Sequence, residues 1–193
     1  LIMACFEGKG IIASMVTPFN EDETINTKSL RRLINYLINK GVHGLFVNSG
    51  AGEFASLTLP EKKKLIEITV EETGGRVPVY AGTGSITTTE AIDVAQFAET
   101  AGADAVSIIP PYSVSPNPEE VYDFYKQLAG STKLPVVLYN HPKMTGVTLT
   151  EDLVARPSRI DNIVGIKDSS GNFALTMSYI RHQNEHFSVF AGI

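Results

Sequence analysis

Lys167 ends the apolar run Ile163-Val164-Gly165-Ile166, where a charged side chain needs a physical reason. Two are open. The ammonium can reach water at a strand exit or pair with Asp168. Alternatively the amine is a nucleophile, because a desolvated lysine gives up its proton readily. An unperturbed lysine, with a pKa of about 10.4, is neutral in only about one molecule in a few thousand near pH 7. Desolvation that lowers this by about three units, on the order of 4 kcal/mol, would supply a useful fraction of free amine.

Tyr139 closes a second apolar run, Pro135-Val136-Val137-Leu138. It reads either as a core tyrosine or, beside Lys167, as a hydroxyl able to move protons at a reacting centre. Gly50-Ala51-Gly52-Glu53 has the small residues that let backbone N–H groups approach an anion, although such loops are also ordinary turns. His182 and His186 have the i, i+4 spacing of a helical zinc pair. The segment His182-Gln183-Asn184-Glu185-His186 lacks a Glu directly after its first His, so a solvated helix end is expected there and no metal site. His43 and His141 add no ligand spacing, but His141 lies where it could touch a substrate.

The elements that must position these groups alternate along the chain. Short, β-branched apolar runs at 11–15, 44–47, 77–81, 105–109, 136–139, 163–167 and 188–191 predict strands. Helical patterns fall between them at 27–40, 60–73, 88–101, 118–130, 149–155 and 172–184. Leu30, Leu33, Ile34, Leu37 and Ile38 put one apolar face on the first helix, with Asn26 and Thr27 as cap candidates and Gly41 as a stop. Thr58 and Glu61 have the spacing of a capping box ahead of the second. Strands that are apolar throughout are buried on both faces, as in a parallel sheet under helices. A repeat of about 30 residues without a Gly-x-Gly-x-x-Gly after the first strand favours a (β/α)8 TIM barrel over a doubly wound sheet. About seven βα units can be counted, so residues 1–193 read as a single barrel domain truncated before the eighth strand.

Bulk properties narrow the function. A net charge of -5 with no basic run argues against nucleic acid and against an anionic membrane surface. No apolar stretch approaches the roughly 20 residues of a membrane span. The apolar opening, residues 1–6, is too short for a signal peptide. The single cysteine, Cys5, cannot form an internal disulfide, and a cytoplasmic setting is the simplest reading.

Strand ends of a barrel carry its chemistry. Those of this chain read Thr17-Pro18-Phe19, Gly52-Glu53-Phe54, Ala81-Gly82-Thr83-Gly84, Pro111-Tyr112, Tyr139-Asn140-x-Pro142-x-x-Thr145-Gly146 and Gly165-Ile166-Lys167-Asp168. In this order and spacing the set resembles the dihydrodipicolinate synthase and N-acetylneuraminate lyase family of class I pyruvate-dependent aldolases, from about Gly10 to Gly192. The resemblance implies Lys167 as the Schiff-base lysine and Tyr139 as the proton relay. It also implies that the Gly50-Ala51 loop holds the carboxylate of a 2-oxo acid, pyruvate above all. No metal or organic cofactor is implied, and the usual assembly is a homotetramer. Tyr112, Met144, Ser169 and Gly192 complete the expected substrate contacts.

Three departures bear on the substrate. Gly50-Ala51 stands where family members usually carry hydroxyl residues. Tyr112 is followed by Ser113, where members that make dihydrodipicolinate carry a second tyrosine. Met144 stands where those synthases place an arginine, and a thioether cannot replace a bidentate guanidinium. The expectation is therefore a lyase that reversibly cleaves a 2-keto-3-deoxy sugar acid to pyruvate and an aldehyde. The alternatives are 4-hydroxy-tetrahydrodipicolinate synthase and a sugar-acid dehydratase, which share the imine. A non-catalytic binder of 2-oxo acids is a reading from another class, opposed by the presence of Lys167 and Tyr139 together.

Overall fold

The computed structural model describes residues 8–192. Cys5 and the apolar opening segment lie outside them. Seven strands form one sheet in chain order, every neighbouring pair parallel: β1 Ile12–Ser14, β2 Gly44–Val47, β3 Val79–Gly82, β4 Ala105–Ile108, β5 Val136–Asn140, β6 Ile163–Asp168 and β7 Ser188–Ala191. This is the α/β arrangement of a half-closed TIM barrel, with β1 and β7 as its two edges. The helices are α1 Thr27–Asn39, α2 Leu59–Thr73, α3 Thr88–Ala101, α4 Pro118–Ser131, α5 Pro142–Thr145, α6 Glu151–Ala155 and α7 Phe173–Ile180. Among the described residues no helix is long and apolar enough to cross a membrane.

Local signals set most boundaries. Asn26 caps α1 by accepting from Ser29 N at 2.9 Å. At the start of α2 the Glu61 carboxylate accepts from Thr58 N at 2.9 Å and from its hydroxyl at 2.7 Å. Some expected elements move: the helix expected at 149–155 starts at Glu151, and α5 was not foreseen. The third strand starts at Val79, after Pro78, which has no N–H to give a ladder. The last helix stops at Ile180, because Asn184 turns the chain by accepting from His186 N and Phe187 N.

Alternation along the strands sorts two cores. Leu45, Val47, Val79, Ala81, Val106, Ile108, Val136 and Leu138 pack outward with the helices. Phe46, Tyr80, Ala105, Val137 and Tyr139 pack inward. On β6 the alternation is broken once. Val136 pairs with Ile163 but Val137 pairs with Gly165, so Val164 is an extra residue, a β-bulge. Ile163 and Ile166 both belong to the outer core, and Val164 packs on the inner one. Strict alternation from Ile163 would send Lys167 outward; the inserted residue turns it inward.

Gly165 makes this possible, since a Cβ there would lie 2.4 Å from Ser188 O on β7. Gly165→Ala must push β7 away or strain the bulge. The expected loss is about 1–3 kcal/mol, seen as a lower urea midpoint at unchanged m-value. An unchanged midpoint would mean that β7 is not held this closely.

Candidate active site

Lys167 and Tyr139 are register partners on β6 and β5, and both point into the barrel. The lysine Nζ lies 4.4 Å from the centre of the Tyr139 ring and 4.8 Å from that of Phe46 on β2. It donates to Ser14 Oγ, at the end of β1, at 3.2 Å. Phe190 of β7 stands beside it in register. A half-open cavity of about 490 Å³, lined by Lys9, Ile12, Phe46, Tyr80, Lys167 and Gln183 among others, reaches the lysine from the side where β1 and β7 begin. Burial among these groups lowers the Lys167 pKa from 10.5 to about 8. At pH 7 about a tenth of the side chain is then neutral, against about one part in three thousand without the shift.

The Tyr139 phenol is shifted the other way. Burial raises its pKa, and a hydrogen bond with Ser169 opposes this in part. It therefore keeps its proton at neutral pH and can donate it. Ser169 is thus placed beside the phenol by the turn after β6, where Ser169 N donates to Asn140 O at 2.8 Å. Gly192 lies against the lysine stem, since a Cβ there would fall 2.6 Å from Lys167 Cε and 2.5 Å from Ser169 Oγ.

The loop after β2 approaches the same point. Gly50–Gly52 forms one tight turn headed by the amides of Gly50 and Ala51, and Thr17 holds it by donating to Gly52 O at 2.7 Å. A Cβ on Gly50 would lie 3.1 Å from Met144 Cε and 3.6 Å from Tyr139 Oη. Gly50, Met144 and Tyr139 therefore meet, whereas the Ala51 side chain is exposed. Tyr112 sits on Phe54, ring centres 5.6 Å apart and edge-on. His141 packs edge-on to Tyr139 at 5.8 Å, with its Nδ1 buried and without a hydrogen-bond partner. His182 and His186 lie beside Glu151 and Glu185, each at 3.3 Å.

Asp168 follows Lys167 in the chain and points away from the cavity. Its carboxylate accepts four hydrogen bonds, from Asn140 Nδ2, Ser170 N, Ser170 Oγ and Thr176 Oγ1. Asn140 Nδ2 also reaches Tyr179, whose hydroxyl donates to Leu149 O. This outer network fixes the ends of β5 and β6. Ser14 and Phe46 are the site residues that sequence reasoning missed. Phe46 lies in an ordinary apolar run, and a serine in the first strand has no spacing to Lys167 that a motif could capture.

Such a site can do nucleophilic chemistry on a carbonyl: an amine near neutrality, a protonated phenol beside it, and an aromatic surround. Comparisons with known proteins agree. A family model described as the Dihydrodipicolinate synthetase family matches residues 7–193. The 4-hydroxy-tetrahydrodipicolinate synthase of Oceanobacillus iheyensis is 43% identical over 182 residues, 94% of this chain and 62% of that protein. The protein of the same name from Syntrophus aciditrophicus is 42% identical over 184 residues, 95% of this chain and 63% of that one. Among solved structures, dihydrodipicolinate synthase DapA-2 of Bacillus anthracis superposes with a TM-score of 0.91 at 40% identity, covering 95% of this chain and 63% of that chain. YagE, a prophage protein of the same family from E. coli, solved in complex with pyruvate, gives 0.93 at 36% identity, over 96% of this chain and 64% of that one. The chain thus spans a little over three fifths of the curated relatives it matches.

These relatives overturn the expectation of a sugar-acid lyase. That expectation rested chiefly on Met144, and the names carried by the relatives support the synthase alternative instead. Met144 is 39% exposed. A side chain that far into solvent does not close a pocket, so its type alone does not select a substrate.

The lowered Lys167 pKa has a direct readout. Reductive methylation of Lys167, followed by peptide mass spectrometry across pH, should rise with a midpoint of about 8. The free amine is the reactive form, so reactivity is lost as pH falls below that value. A midpoint near the ordinary 10.5 would contradict a desolvated site.

Proposed function

The chain belongs to the dihydrodipicolinate synthetase family, and from that premise we propose that the whole protein condenses pyruvate, held as an imine on Lys167, with aspartate semialdehyde. This is the reaction of a 4-hydroxy-tetrahydrodipicolinate synthase, the name its relatives carry. The observation that carries the reading is the half-buried Lys167, its pKa lowered, in register with a protonated Tyr139.

The chemistry follows from those two groups. The neutral amine attacks the ketone carbon of pyruvate, and Tyr139 gives a proton to the carbonyl oxygen as the carbon–nitrogen bond forms. The carbinolamine loses water to become a protonated imine. That cation draws electrons from the neighbouring methyl group, which sheds a proton to give an enamine. The enamine carbon then attacks the aldehyde, and hydrolysis later frees the lysine. The amides of Gly50 and Ala51 hold the pyruvate carboxylate, next to Tyr139 Oη. Tyr112, Met144, Ser169 and Gly192 border the substrate. Self-association belongs to the same reading, as a homotetramer.

Treating the complete protein with pyruvate and borohydride should leave a reduced adduct on the peptide that carries Lys167. Lys167→Arg should abolish it, because a guanidinium stays protonated. Tyr139→Phe should still form the adduct but slow turnover by about 10² to 10⁴. No adduct, or an adduct on another lysine, would remove the mechanism. An adduct without condensation with aspartate semialdehyde would remove the substrate assignment alone.

A further inference from the structure

The hydrogen bond between Lys167 and Ser14 joins β6 to the edge strand β1 across the barrel. Ser14 is the last residue of β1 and is paired in register with Phe46, whose ring also faces the amine. The amine therefore has two aromatic faces, Phe46 and Tyr139, and a hydroxyl that can accept from it.

We propose that Ser14 is a catalytic residue whose hydroxyl accepts the N–H of the Lys167 Schiff base and keeps it in the protonated form. This rests on the imine chemistry proposed above. A neutral lysine has two N–H bonds. As the carbon–nitrogen bond forms, Tyr139 protonates the carbonyl oxygen to a hydroxyl and takes one proton from nitrogen in exchange. That hydroxyl departs as water, with the second proton it needs coming from Tyr139. The other N–H stays on nitrogen through amine, carbinolamine and iminium, and at each stage it can donate to Ser14 Oγ. An N–H fixed at β1 also turns the nitrogen lone pair away from that edge, toward the β5 side and the Gly50 loop. Charge-assisted hydrogen bonds of this kind are the strong ones, roughly twice as strong as neutral ones. Tyr139 cannot fill the same role while its proton is being delivered to the leaving oxygen.

The titratable groups that share the cavity wall with Lys167 are Tyr80 on β3, Tyr139 on β5 and Lys9 ahead of β1. From β2 and β7 it is faced by Phe46 and Phe190. No carboxylate is among these groups, so Ser14 is the neutral acceptor best placed for the N–H.

The test is the rate of borohydride-trapped pyruvate adduct on Lys167, measured against pH in the complete protein. Ser14→Ala should slow trapping by about 10- to 100-fold, the usual range for loss of a hydrogen bond to a charged group. The acid limb should move to lower pH, because the ammonium loses an acceptor. Ser14→Thr should restore both, and Ser14→Val, of the same shape without the hydroxyl, should not. Should Ser14→Ala fold poorly, the Thr and Val pair gives the same comparison. Equal trapping rates and acid limbs for Thr and Val, with adduct on Lys167 in both, would overturn the role of Ser14 alone. Wild-type protein that traps no pyruvate at Lys167 would remove the imine reading and this role with it.

Discussion

Side chains on a strand alternate between two faces, and β6 has to satisfy both faces with an awkward set of residues. Ile163 and Ile166 belong with the helices, yet Lys167 belongs in the barrel. A spacing of three between the two isoleucines cannot be met by period two. The extra residue at the Val164–Gly165 step resolves the conflict, and the rest of the site follows from it. Lys167 comes into register with Tyr139, faces Phe46, and reaches Ser14 on the far edge. With regular alternation the ammonium would lie under the helix layer, where a charge without a partner is costly and no carbonyl substrate could reach it.

The same turn of the strand separates two opposite charges that are adjacent in sequence. Asp168 goes outward and is satisfied by four donors, while Lys167 goes inward with a single hydroxyl partner. A carboxylate against the amine would have held it protonated. Instead, burial is the dominant cause of its shift, and burial favours the neutral form. The Asp168 network contributes rigidity without contributing its charge to the cavity.

Much of this was legible in the sequence, for identifiable reasons. The alternation of apolar runs and amphipathic stretches predicts the seven strands in their order, and Lys167 and Tyr139 betray themselves as polar residues ending such runs. The bulge was hidden because Ile163-Val164-Gly165-Ile166 reads as one unbroken apolar strand. Its only trace is Gly165, a residue that weakens a strand unless something approaches closely. Ser14 left no trace, since its partner is 153 residues away and the pairing exists only once the sheet curls. The substrate was misread for a different reason. Met144 was weighed as the loss of a guanidinium fork for a second carboxylate, yet relatives about 40% identical carry the synthase name.

Contact between the Gly50 loop and the methionine tip couples two parts of the chain that would otherwise vary independently. Room at position 50 is limited: a Cβ there would press on the Met144 methyl at 3.1 Å and touch the hydroxyl of Tyr139 at ordinary contact distance, 3.6 Å. A side chain at 50 is accommodated most easily when residue 144 is shortened or turned further into solvent. The two positions should therefore drift as a pair, constrained by volume. Their combined identity records the history of the site better than either residue does alone.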